Sequence, residues 1–282
     1  MQKSKAVIIF ISVIFILCVL LTVDENIIDV TFYSYNNKKL PESFNDFTIV
    51  HLSDLHNKSF GKNQKNLMKK IGEINPDIIV YTGDIISSKD ETVKNAEIFI
   101  KECLKICPVY YVEGNHDKYS NTYNRFFQYF LKGSGVHVLR NQFEKITVHN
   151  ESITVCGIQD YVFATNYGYA SSQRIEAYEK WIKETIPDDE SFKLVLSHRP
   201  EFFEEYLKNG ADLVLTGHAH GAQVILPFVG GVFAPNQGMF PKWYNGKYNM
   251  GECTMIVNRG LGNSIIFPRV NNSPEIVVIK LN

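Results

Sequence analysis

Short apolar runs that each stop at a polar cluster set the architecture open to this chain. Residues 47–52 run into Ser53-Asp54-Leu55-His56, residues 77–81 into Gly83-Asp84, and residues 109–112 into Gly114-Asn115-His116-Asp117. Further on, residues 192–196 lead to Ser197-His198-Arg199 and residues 212–215 to Gly217-His218-Ala219-His220. Runs this short and this apolar, closed by turn-forming residues, read as strands buried on both faces. Helical spacing fills the intervals. Leu67, Ile71 and Ile74 share one face of residues 63–74, which stop at Asn75-Pro76, and a helix over residues 91–106 stops before Pro108. Strand, loop and helix recur three times, the order of a mainly parallel sheet. Such sheets gather ligands at the carboxyl ends of their strands, where these clusters fall.

The remainder extends this pattern and then changes it. Residues 123–131 predict a helix, residues 136–139, 145–148 and 152–157 short strands (the last two a hairpin), and residues 173–185 and 202–208 two more helices. Residues 224–228, 255–259 and 275–281 are strands without helices between them, which predicts a second, more antiparallel sheet. Two sheets with helices outside account for the whole order. Residues 26–46, with Asn36-Asn37 and Pro41, read as a first short strand or a linker. Nineteen Phe and fifteen Tyr oppose extended disorder. The cysteines at 18, 103, 107, 156 and 253 form no disulfide framework. Cys103 and Cys107 share a helix face but lack two further zinc ligands, and they read as packed thiols.

The clusters carry chemistry. Asp54 and His56 are two apart, as are His218 and His220, so each pair can present both side chains on one side of an extended segment. Asp84 offers two carboxylate oxygens from another strand end, Asn115 a carbonyl oxygen and His198 an imidazole. Seven nitrogen and oxygen ligands without a thiolate suit two divalent metals that share one carboxylate. Two such cations, about 3.5 to 4 Å apart, clamp a phosphoryl group and activate water against phosphorus. The leaving oxygen then needs a proton. His116 is the candidate acid, because imidazole titrates near neutrality, with Asp117 to orient its ring and Arg199 to contact phosphate. Taken singly, each cluster reads as well as a turn or a surface loop. Their common place at strand ends carries the inference. The other histidines, His51, His137 and His149, read as packed or solvent-facing, with support of the site a second reading for His51.

The N-terminus points elsewhere. Lys3 and Lys5 precede residues 6–23, an apolar stretch broken only by Ser12 and Thr22, and Asp24-Glu25 follow. A stretch of this length spans a bilayer as a helix, and the order of charges favours a cytoplasmic N-terminus. The expectation is a single-pass anchor over residues 1–25, with a signal peptide as the competing reading. A link over 26–46 and a catalytic domain over 47–282 would follow, on the extracytoplasmic side of a cell membrane. A formal net charge of −1 argues against nucleic acid as a partner.

In chain order, Asp54-x-His56, Gly83-Asp84, Gly114-Asn115-His116-Asp117, His198 and Gly217-His218-x-His220 resemble the calcineurin-like metallophosphoesterase superfamily, from residue 48 to the C-terminus. Ser53-Asp54-Leu55-His56-Asn57, Gly260-Leu261-Gly262-Asn263-Ser264 and Pro274-Glu275-Ile276 look like its bacterial branch of membrane-associated or exported phosphoesterases. The resemblance implies a four-layer α/β/β/α sandwich around a dimetal centre. It implies one metal on Asp54, His56, Asp84 and His220, a second on Asp84, Asn115, His198 and His218, and His116 as leaving-group acid. The metals of such enzymes are manganese, iron, zinc or nickel. Many members carry a second acid after the Gly-Asp motif, where this chain runs Ile85-Ile86-Ser87. That departure touches loop support rather than ligation.

Residues 233–248 are unusually aromatic for a loop. Phe240 and Trp243, beside Lys242 and Lys247, suggest an apolar rim for a lipid-linked phosphate or pyrophosphate at a membrane surface. A loop packed over the sheet edge is the plainer reading. The alternatives in function are a phosphodiesterase or nucleotidase for soluble substrates, and a scaffold without catalysis.

Overall fold

The computed structural model describes residue 12 and residues 26–89, 91–164, 171–264 and 268–282. Two six-stranded sheets lie face to face. The first holds β1 (Asp29–Tyr35), β2 (Thr48–Leu52), β3 (Ile78–Thr82), β4 (Val109–Val112) and β5 (His137–Val138). The second holds β6 (Gln142–Val148), β7 (Glu151–Ile158), β8 (Lys193–Ser197) and β9 (Leu213–Thr216). Two small hairpins follow, β10 (Ile225–Leu226) with β11 (Gly230–Gly231) and β12 (Phe233–Ala234) with β13 (Gly238–Met239). The chain then adds β14 (Gly246–Met250), β15 (Cys253–Val257) and β16 (Glu275–Leu281). The strand order is β1-β16-β2-β3-β4-β5 in the first sheet and β14-β15-β9-β8-β7-β6 in the second.

Side chains alternate across a strand, so strands buried on both faces feed two cores at once. Ile49, Ile78, Val80 and Val112 meet Val155, Leu194, Leu196 and Leu215 between the sheets. Their neighbours Val50, Leu52, Ile79 and Tyr81 face outward, onto Leu67, Ile71, Phe99 and Ile100. Those four belong to the helices Lys65–Ile74 and Lys94–Cys103. On the far side Val195, Val214 and Met255 pack on Tyr178, Ile182, Phe203 and Tyr206. The latter come from the helices Ser171–Thr185 and Phe203–Lys208. Helix, sheet, sheet, helix makes four layers. Each fully buried aliphatic side chain contributes about 1.5 to 3 kcal/mol, so the layers together hold the strand ends. Helix termination is local. Lys65–Ile74 stops because Asn75 turns left-handed, φ 55°, with its N–H donating to the Ile71 carbonyl.

Two expectations change. The last three predicted strands make no sheet of their own. Residues 224–228 contract to β10, and β15 joins β9 in parallel. β16 returns to the first sheet, parallel to β1 and antiparallel to β2. β1 is thus a full strand, in register from Asp29↔Glu275 to Tyr35↔Leu281. The second change concerns the membrane. The anchor expected over residues 1–25 falls, Ser12 apart, outside the described residues. Among the described residues no helix is long and apolar enough to cross a membrane, and a crossing needs about 20 apolar residues in one helix. The fold described is the four-layer sandwich. The transmembrane helix, the single-pass placement in a cell membrane and the membrane as partner find no support in it and are set aside.

Candidate metal centre

The seven expected ligands follow strand ends of both sheets. Asp54 and His56 come after β2, Asp84 after β3, Asn115 after β4, His198 after β8, and His218 and His220 after β9. Five of them turn left-handed, with φ of 52° at Asp54, 47° at His56, 57° at Asp84, 66° at His218 and 48° at His220. For a non-glycine residue that conformation costs on the order of 1 kcal/mol, and such strain collects at functional sites. The loops also meet too closely for side chains. A Cβ on Gly83 would lie 2.6 Å from His198 Nδ1, and one on Gly114 would collide with the Asp84 carboxylate.

The ligand atoms form two groups, Asp54 with His56 and His220, and Asp84 with His198 and His218, each within 4.8 Å. In the first, Asp54 Oδ1 is 3.4 Å from His220 Nε2 and 3.9 Å from His56 Nε2. In the second, His198 Nε2 is 3.2 Å from Asp84 Oδ2 and 3.2 Å from His218 Nδ1. Asp84 Oδ2 also lies 4.0 Å from His56 Nε2, which sets it between the groups. Each carboxylate commits one oxygen to backbone. Asp54 Oδ2 accepts from the His218 N–H at 3.1 Å, and Asp84 Oδ1 from the His116 N–H at 2.7 Å. The opposite oxygens, Asp54 Oδ1 and Asp84 Oδ2, are buried without a hydrogen-bond partner, as is Asn115 Oδ1. An unsatisfied buried acceptor costs about 1 to 3 kcal/mol, more when charged, and bound cations offset that cost. The two clusters fit two divalent metal ions.

Neighbouring groups fix the imidazoles. His198 Nδ1 lies 2.7 Å from the Thr82 carbonyl, so that nitrogen carries a proton, and Nε2 is the one that would give up its proton to ligate a metal. Thr82 Oγ1 is in turn 2.8 Å from Nε2 of buried His51. His218 Nε2 lies 2.8 Å from Arg199 Nη1 and 3.0 Å from Asn236 Oδ1, which holds the ring with Nδ1 turned toward the second ligand group. Burial pushes His56 down to about 3 and holds His218 and His220 well below the usual imidazole range. These rings are therefore neutral and able to ligate at pH 7. Burial also pushes Asp54 up to about 6. It works the same way on Asp84, but the His198 imidazolium holds that carboxyl well below its usual range. Burial opposes the charge on His198 itself, yet the Asp84 carboxylate raises it to about 10. In the absence of a cation, His198 supplies positive charge.

The remaining expected site residues fall in different surroundings. The half-buried His116 ring stands edge-on to His56, centroids 4.8 Å apart, with the Ser88 N–H 3.4 Å from its Nδ1. Asp117 ties loops together rather than orienting that ring. Its Oδ2 accepts from the N–H of Asp84 (2.9 Å) and Gly114 (2.8 Å) and from the Tyr111 hydroxyl (2.6 Å). Its Oδ1 accepts from Ile85 and Ile86 at 3.1 and 3.4 Å. Arg199 is buried, and its fork grips Asp160 through Nε–Oδ2 at 2.5 Å and Nη2–Oδ1 at 3.2 Å. Its Nη1 donates to Asn236 Oδ1 at 2.7 Å. Trp243 packs edge-on against Phe203 and Tyr248, over the second sheet, whereas Phe240 is exposed.

Sequence reasoning missed several supporting residues. Buried Glu113, just before Gly114, accepts from the Tyr123 hydroxyl, Arg140 and Gln159. Asn258 donates to the His51 carbonyl at 2.8 Å and accepts from the Gly260 N–H at 2.7 Å. The turn it holds clamps the first cluster, as Leu261 and Gly262 donate to the Ser53 and Asp54 carbonyls. Buried Arg269 brings Nη2 to 3.5 Å from His220 Nδ1. An acid directly after an apolar run was the one available signal, and it marks Glu113 alone.

The calcineurin-like phosphoesterase family model matches residues 47–222. The chain is 27% identical over 264 residues to the uncharacterized metallophosphoesterase YkuE of Bacillus subtilis, covering 92% of this chain and 87% of that protein. It is 28% identical over 243 residues to the phosphodiesterase YaeI of Escherichia coli, covering 83% and 82%. A transmembrane protein with metallophosphoesterase domain from Danio rerio is 27% identical over 254 residues, covering 86% of this chain but 55% of that protein. The chain spans about half the length of that relative.

Proposed function

The chain belongs to the calcineurin-like phosphoesterase family, and on that premise we propose that it hydrolyses soluble phosphodiesters. Its activity as a metal-dependent phosphoesterase rests on the family and on the two ligand clusters. One observation carries the reading. Three buried oxygens, on Asp54, Asp84 and Asn115, are unpaired, and two of them sit among converging imidazole nitrogens. When bound, two divalent ions would supply an activated water and the charge that draws phosphoryl oxygens in.

The chain's own residues do the rest. Asp54, His56, Asp84 and His220 would hold one ion, and Asp84, Asn115, His198 and His218 the other. His116, outside both groups, donates a proton to the leaving oxygen. Asp117 is a positioning residue that fixes the loops of Asp84 and Asn115. Diesters are favoured over lipid-linked substrates for two reasons. A relative of similar length is a phosphodiesterase, and Trp243 is engaged in packing on Phe203 rather than lining a rim.

The test is hydrolysis of bis(4-nitrophenyl) phosphate and 4-nitrophenyl phosphate with added manganese. The diester should be cleaved at least tenfold faster. Asp84→Asn should lose manganese and rate together. His116→Ala should keep manganese and lose about 10² to 10³ in rate on alkyl esters, with less loss for the readily departing nitrophenolate. Faster cleavage of the monoester, or no manganese dependence, would refute the proposal.

A further inference from the structure

A cavity of about 220 Å³ opens beside the second ligand group, with Asn115, Tyr119, Tyr161, Arg174, Arg199 and Asn236 among its walls. Whole-ligand pockets usually measure about 300 to 1,000 Å³, so this one suits a part of a ligand. Asn115 links it to the metal centre, because that residue also offers its buried oxygen there. Among the described residues lining the cavity none is acidic, and two are arginines.

Arg199 is charge-balanced by Asp160, with Glu201 3.5 Å from its Nη1. Its guanidinium lies 4.4 Å from the Tyr161 ring centroid. It thereby fixes both Tyr161 and Asn236, and Asn236 Nδ2 donates to the Tyr161 hydroxyl at 3.2 Å. Arg174, half-buried in the first turn of Ser171–Thr185, is the second arginine lining that cavity. That helix is anchored independently through Tyr178 and Ile182. A rigid polar wall, tyrosine rings and an arginine fork are the elements that recognise phosphate.

We propose that this cavity binds a second phosphate of the substrate, next to the phosphoryl group held at the metal centre, and that Arg174 is the residue selecting for it. The proposal rests on the phosphodiesterase reading and names its substrate class: diesters that carry a further phosphate, as nucleotide fragments do.

The test compares thymidine 5′-(4-nitrophenyl phosphate) with the same ester bearing a 3′-phosphate, using the manganese-loaded full chain. The wild-type KM should be about tenfold lower for the 3′-phosphorylated ester, as one charge-assisted contact predicts. In Arg174→Gln the ratio of the two KM values should fall to about one. Lys180→Gln, an exposed change on the same helix, should preserve the wild-type ratio. Equal KM values in the wild type, or a ratio that survives Arg174→Gln, overturn the subsite while leaving the diesterase reading intact. Hydrolysis of neither ester overturns both.

Discussion

Asp117→Asn separates two accounts of the residue beside the candidate acid. Asp117 accepts five hydrogen bonds, three at Oδ2 and two at Oδ1. An asparagine of the same shape can keep its carbonyl toward Asp84, Gly114 and Tyr111. Its amide then faces the N–H groups of Ile85 and Ile86, and donor meets donor. Two buried backbone donors lose their acceptor, at roughly 1 to 1.5 kcal/mol each, and the charge-assisted share of the other three bonds is lost as well. The expected destabilisation is about 3 kcal/mol or more, read as a lower urea midpoint of the metal-free protein. The loops carrying Asp84 and Asn115 would loosen together, so manganese affinity by calorimetry should fall at least tenfold. Were Asp117 instead the partner of the His116 ring, stability and manganese binding would stay unchanged and the pH-rate profile would shift. That outcome would refute the positioning role.

Other consequences are open to direct measurement. Gly114→Ala places a methyl group against the Asp84 carboxylate and should lower activity at least a hundredfold, at about 1 to 3 kcal/mol in stability. Wild-type activity in that variant would show that the loops part freely. His51 and His56 are held neutral down to about 3 by burial, whereas the unfolded imidazoles take up protons below about 6.5. The unfolded state therefore binds more protons between these values. Metal-free stability should fall as pH drops below 6.5, because His51, His56, His218 and His220 each contribute about 1.4 kcal/mol per unit and outnumber the raised carboxyls of Asp117 and Asp54, whose slope has the opposite sign. A flat urea midpoint from pH 7 to pH 5 would contradict this. Chelation should abolish activity, and manganese at 100 times its Kd should restore about 2.7 kcal/mol of stability, visible as a raised Tm.

What could be read from the chain follows from the range of the interactions. The strands of residues 109–112 and 275–281 were legible residue for residue, because alternate side chains must both be buried. The side chains of the two clusters were legible because carboxylate and imidazole at a strand end have few other reasons to recur. Partner choice was not. Nothing local in residues 29–35 announces a pairing with β16, and Asp160 shows no sign of Arg199 from the far side of a helix. Asp117 was placed beside His116 by adjacency, yet three-dimensional contact gives its oxygens to four backbone N–H groups and the Tyr111 hydroxyl. The apolar N-terminal stretch prompted a membrane anchor that no described helix bears out.

β16 emerges after every other described strand, yet it lies inside the first sheet, between β1 and β2. Until it arrives, the strand that delivers Asp54 and His56 has an open edge, and β1 has no neighbour at all. Closing that gap needs contacts across almost the whole chain, which is slow in any folding reaction. A nascent chain on the ribosome therefore exposes a template for stray strand addition, and the metal centre can take its final form only once the C-terminal segment is free to insert.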